Sequence, residues 1–102
     1  MNDLERLRAN VTAVLAPYGL RRVSLFGSAA RGDMTPNSDI DLLVEFDQPR
    51  LKPIGLMTWV RLEQTLSERL RRKVDLVSAT AVRAHLRPYI EKDAIVIYES
   101  QK

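Results

Sequence analysis

The sequence predicts an α+β fold, a small four-stranded mixed sheet with helices packed against it. Three observations carry that prediction. Apolar residues recur at three- and four-residue spacing in two stretches, the period of a helix face. Four short runs are largely apolar and bounded by Gly, Pro or polar clusters, as strands are. The segments alternate as α-β-β-α-β-α-β, the order of a mixed sheet flanked by helices, and 102 residues suffice for one domain, 1–102.

The first helix is marked by Leu4, Leu7, Val11 and Val14 on one face, with Asn2 or Asp3 as cap and Pro17 and Gly19 as terminators. "RRVSLFG" then reads as a strand from Arg21 to Phe26, ended by Gly27, and residues 28–32 have room for a helical turn before the loop "GDMTPNS". The second strand is "DIDLLVEF", with Asp39, Asp41 and Leu43 on one face and Ile40, Leu42 and Val44 on the other. Apolar residues on both faces predict a central strand, and the short 33–38 loop lets the first two strands pair.

After the polar connection "DQPRLKP", a second helix carries Leu56, Trp59, Leu62, Leu66 and Leu70 on one stripe. Its end, "ERLRRK", is a solvated terminus where basic residues suit the dipole. "RKVDLVS" is the third strand, and "ATAVRAHLRPYIEKD" reads as helical, with Pro88 a break or a fresh start. "AIVIYE" is the fourth strand. Tyr18, Tyr89 and Tyr98 read as packing residues, and His85 as a surface or helix-packing histidine.

Bulk properties narrow the function. The chain is 45% apolar and 28% charged, ordinary for a globular protein, and has no cysteine for a disulfide or thiolate metal site. No apolar run approaches the ~20 residues of a membrane span, and the charged "MNDLERLRAN" is unlike a secretory signal, so a cytoplasmic location is expected. The net charge of +3 is too mild to choose a partner, and no basic track points to nucleic acid as a direct substrate.

The informative stretch is "LFGSAARGDMTPNSDIDLLVEF". "GSAARGDM" has the glycine spacing of a P-loop, but Asp33 and Met34 stand where the lysine and hydroxyl are required. No G-x-G occurs for a dinucleotide fold, an EF-hand counted from Asn37 would put Leu42 in place of its glycine, and His85 stands alone. What survives is a phosphate-binding turn: Gly27 lets backbone approach a ligand, and Ser28 offers a hydroxyl and an N–H. Ten residues later, Asp39 and Asp41 project from one strand face. Buried carboxylates this close repel, and a hard divalent cation arriving with a nucleoside triphosphate is the simplest compensation. A site of two such ions wants a third acid, and Asp75, in the otherwise apolar "KVDLV", is the candidate; Glu45 shares the Asp39 face but lies further from the turn.

"GSAARGDMTPNSDID" resembles the signature of the DNA polymerase β-like nucleotidyltransferase superfamily, a Gly-Ser pair, ten residues, then Asp-x-Asp, and is most similar to its smallest members, the minimal nucleotidyltransferases. The resemblance runs from the leading helix through "VSLFGSAARG", "SDIDLLVEF" and "KVDLV" to "EKDAIVIYE" and implies the polymerase β-like core. It implies that Gly27 and Ser28 contact the triphosphate of ATP, that Asp39 and Asp41 hold two Mg²⁺ ions, and that Asp75 completes one ion site and helps deprotonate the acceptor hydroxyl. Arg31 then reaches phosphate or has a structural role, and Ser38 contacts phosphate or caps the loop. The resemblance also implies a partner, a helical HEPN-domain toxin whose tyrosine receives AMP, with this chain as antitoxin in a hetero-oligomer or as a homodimer. The alternative is a non-catalytic antitoxin that neutralises its partner by occlusion.

Overall fold

The computed structural model describes residues 3–27, 39–47, 54–79, 81, 85, 87–92 and 94–100. Helix α1 spans Asp3–Leu15 and buries Leu7, Val11 and Leu15 at the helical period. A 3-10 turn, Ala16–Tyr18, follows with Pro17 near its start. Gly19 closes it in the left-handed region (φ 84), where its N–H donates to the Ala16 carbonyl at 3.1 Å.

Strand β1 (Leu20–Phe26) pairs antiparallel with β2 (Ile40–Phe46), setting Val23 opposite Val44, Leu25 opposite Leu42 and Phe26 opposite Asp41. Helix α2 (Leu56–Leu70) carries the chain to β3 (Val74–Ser78), which runs parallel to β2. A long crossover is what a parallel pair requires. Helix α3 (Arg87–Lys92) precedes β4 (Ile95–Glu99), which pairs antiparallel with β1. The sheet order is β3-β2-β1-β4, so β2 is central as its two apolar faces predict.

One sheet face is the core. Val23, Leu25, Ile40, Leu42, Val44, Val74, Leu76 and Ile97 join Leu7, Val11, Leu15, Leu62 and Leu66 of the two long helices in a single cluster. Phe46 and Trp59 meet edge to face with ring centroids 6.5 Å apart. Strand alternation sends the intervening residues to the opposite face: Arg22 with Glu45, Ser24 with Leu43, and Phe26 beside Asp41 and Asp75. The exposed edge of β4 is met from α1, where Arg8 Nε donates to the Ile97 carbonyl at 2.6 Å.

Several sequence expectations need correction. Strand β2 begins at Ile40, leaving Asp39 just outside it, and β3 begins at Val74 rather than at Arg72. The α2 stripe buries Leu62 and Leu66, but Leu56 is 78% exposed. In the segment read as helical, Ala81 and His85 lie in turns, while helix α3 covers Arg87–Lys92, so Pro88 marks a fresh start, placed where its missing N–H costs nothing. Tyr89 is 77% exposed and is not a packing residue, whereas Tyr18 and Tyr98 do pack against the core. Among the described residues no helix is long and apolar enough to cross a membrane.

Candidate active site

Gly27 follows the last residue of β1 at φ 75, a left-handed conformation that favours glycine. A Cβ built there would lie 2.5 Å from Asp41 Oδ2 and 3.4 Å from its Cγ. The backbone turn and the Asp41 carboxylate therefore occupy adjoining space, and a residue without a side chain lets the carboxylate keep this position.

Parallel pairing of β2 with β3 sets Asp41 directly beside Asp75. Residues in register on neighbouring strands share a face, so the two carboxylates lie side by side. Burial raises the Asp41 pKa above its ordinary value of 3.8; the charge of Asp75, that of Asp39 and the hydrogen bond to Asp75 push it the same way, while Lys73 pulls it down.

Asp39 is exposed, one residue ahead of β2. The Ile40 N–H donates to the Lys73 carbonyl at 2.9 Å, and Ile40 is in register with Val74. One step back along both strands therefore brings Asp39 level with Lys73. Glu45, two pleats further along, forms an ion pair with Arg22 across the strands and takes no part in this group. Of the other residues singled out in the sequence, Ser28, Arg31 and Ser38 lie outside the described residues.

A cavity of about 580 Å³ opens beside Asp75 at the β3 edge, lined also by Lys73, Val74, Glu63 and Ser67. Sequence reasoning missed the last two and Lys73. The available signal for Lys73 was its position two residues before Asp75, on the same strand face.

The sequence pattern of the family described as "Polymerase beta, Nucleotidyltransferase" matches residues 10–102. This chain belongs to that family. The nucleotidyltransferase is 34% identical over 94 residues to a candidate protein adenylyltransferase of Methanocaldococcus jannaschii, covering 91% of this chain and 92% of the relative. It is 27% identical over 101 residues to the protein adenylyltransferase MntA of Thermococcus cleftensis, covering 95% and 98%. Among solved structures, a protein described as a candidate minimal nucleotidyltransferase is 40% identical with TM-score 0.69, covering 92% of this chain and 95% of the other. The same fold, at 21% identity and TM-score 0.69, occurs in the Shewanella oneidensis complex of a tri-AMPylated HEPN toxin with its MNT antitoxin, with 96% and 74% covered.

The divalent cation that the sequence resemblance implies would meet a suitable donor set here. Asp41 and Asp75 offer hard carboxylate oxygens on a shared strand face, and a cation between them would offset the mutual repulsion of their charges. Among the described residues no three acids converge to enclose one ion, so the arrangement is a pair with Asp39 as a neighbour rather than a closed trio.

Proposed function

We propose that this nucleotidyltransferase transfers AMP from ATP to a hydroxyl, a tyrosine, of a HEPN-domain toxin and thereby acts as its antitoxin. The observation that carries this reading is the Asp41–Asp75 pair, in register on β2 and β3 and abutting the Gly27 turn. Relatives named protein adenylyltransferases along nearly their whole length support the adenylyl group, and the fold of the toxin–antitoxin complex supports the partner.

In this reading Gly27 and Ser28 bring backbone N–H groups to the triphosphate, with Arg31 and Ser38 as further phosphate contacts. Asp39, Asp41 and Asp75 would hold Mg²⁺, which when bound neutralises the phosphates and lowers the pKa of an oxygen it contacts. Asp75 takes the proton of the acceptor hydroxyl as its oxygen bonds to the α-phosphorus; the bond from that phosphorus to the bridging oxygen breaks, and pyrophosphate leaves. The product is an AMP ester of the hydroxyl.

Intact-mass spectrometry of the HEPN partner after incubation with this chain, ATP and Mg²⁺ tests the proposal. Gain of one or more AMP units with wild type and none with Asp39→Ala/Asp41→Ala supports it. A stable complex with no mass gain in either case overturns it in favour of neutralisation by occlusion.

A further inference from the structure

Strand β3 is the outer strand on the Asp75 side, and its backbone bonds to β2 use only one of its two edges. The donors of the other edge need partners, since an unpaired edge lets a strand fray or shift. Two side chains of α2 supply them. The Val74 N–H donates to Ser67 Oγ at 2.9 Å, and the Leu76 N–H donates to Glu63 Oε2 at 2.9 Å. Val74 and Leu76 are the residues on either side of Asp75.

The match is geometric. Glu63 and Ser67 are one helical turn apart, a rise of about 6 Å, and two strand residues advance by about 6.6 Å. The pairing runs in opposite directions, Ser67 to Val74 and Glu63 to Leu76, so α2 lies antiparallel to β3 as the short turn between them requires. Ser67 also closes the helix, because its carbonyl accepts the N–H groups of Arg71, in the left-handed region at φ 56, and of Arg72 at 3.2 Å. The helix end and the strand start are thereby fixed to one residue.

We propose that Glu63 and Ser67 are positioning residues for Asp75. They fasten the β3 backbone immediately before and after Asp75, so that its carboxylate stays in register with Asp41. Neither touches the reacting atoms. The proposal rests on the reading of Asp75 as the acid that serves the transfer. A carboxylate a strand residue out of register would face the helices, and smaller displacements of about 1 Å already cost about 100-fold in related situations.

The test uses the full chain with its HEPN partner, comparing wild type with Glu63→Leu, Glu63→Gln, Ser67→Ala and Asp75→Asn at a temperature where each is folded. Glu63→Leu is expected to lower kcat by about 10–100-fold with KM for ATP within about twofold, the scale seen when a residue that orients a metal ligand is lost. Glu63→Gln keeps a carbonyl oxygen for the Leu76 N–H and is expected to restore kcat to within about threefold, which a role for the charge itself would not allow. In the metal-free chain, hydrogen exchange at Leu76 and Asp75 should accelerate in Glu63→Leu and not in Glu63→Gln. A residue that merely stabilised the fold would lower the melting temperature and leave kcat of the folded fraction unchanged. Unchanged kcat in Glu63→Leu with Asp75→Asn inactive overturns the inference and leaves the reading of Asp75 standing. Full activity in Asp75→Asn overturns both. If Glu63→Leu does not fold, Ser67→Ala decides: a fall in kcat supports the proposal and an unchanged kcat overturns it.

Discussion

Replacing Gly27 by alanine separates the stability of this fold from its chemistry. The new Cβ would lie 2.5 Å from Asp41 Oδ2, whereas real contacts of this kind do not fall below 3.0 Å and are seldom under 3.4 Å. The carboxylate oxygen must therefore retreat by 0.5 to 0.9 Å, the differences between those distances. That atom is the far end of a side chain, so the movement itself is inexpensive. Holding alanine at φ 75 adds about 1–2 kcal/mol, and the melting temperature should fall by about 4–16 °C. Function is the more sensitive quantity. Catalytic groups must stay within about 0.5 Å of their working positions, and a 1 Å error costs about 100-fold. We expect Gly27→Ala to be folded at 25 °C and to transfer AMP to the HEPN partner about 100-fold more slowly, measured by the mass shift of that partner over time. Transfer within threefold of wild type, with the lowered melting temperature confirming the strain, would refute the argument that Gly27 exists to make room for Asp41.

Three further outcomes follow from the described contacts. Asp41 has a raised pKa, so the folded chain binds this proton more tightly than the unfolded chain; the associated stability is complete below the ordinary value of 3.8 and is lost as pH rises through the raised value. In metal-free buffer Asp41→Asn should therefore raise the melting temperature at pH 7 and not at pH 3, and a lowered melting temperature at pH 7 contradicts the assignment. Leu66 is fully buried between α2 and the sheet, so Leu66→Ala should cost about 3 kcal/mol, a fall of about 12–24 °C in a thermal melt; a fall under about 4 °C would show that the helix is not anchored there. Arg22 spans three strands, pairing with Glu45 on β2 and with Glu99 on β4 at 3.6 Å; Arg22→Met should cost about 0.5–1 kcal/mol in urea unfolding at low salt and less at 1 M salt, and a salt-independent loss would assign the effect to packing instead.

The elements that build the face carrying Asp41 and Asp75 were legible because their signals are local. The period of Leu7 and Val11, the alternation around Asp41 and the Gly27 punctuation each read out within a few residues. The pairing of Asp41 with Asp75 was legible as a suspicion only, since nothing in either strand states which residue of its neighbour it will face. Glu63 and Ser67 were not legible: on a helix their polarity is indistinguishable from that of a solvated face, and their role exists only once β3 lies alongside. Leu56 misled for a related reason. Fifteen helical residues span about 22 Å and five strand residues about 17 Å, so the stripe continues past the strand it would cover. Composition has its limit as well, because Ala81 and His85 belong to a stretch rich in helix formers and yet lie in turns.

The Arg8 contact with β4 has a consequence for how this chain comes to exist. Leu25 is in register with Ile95, and the Arg8 hydrogen bond closes a loop of 89 residues. During synthesis at about 5–20 residues per second, β1 leaves the ribosome several seconds before the strand that covers its outer edge. For that interval the growing chain carries α1 and an apolar strand with one side open, the surface on which nascent chains associate wrongly. Arg8 is made first and waits, a charge already placed where the last strand must dock. Pairing of such sequence-distant segments slows folding, and β1 keeps its outer edge uncovered until β4 has been made.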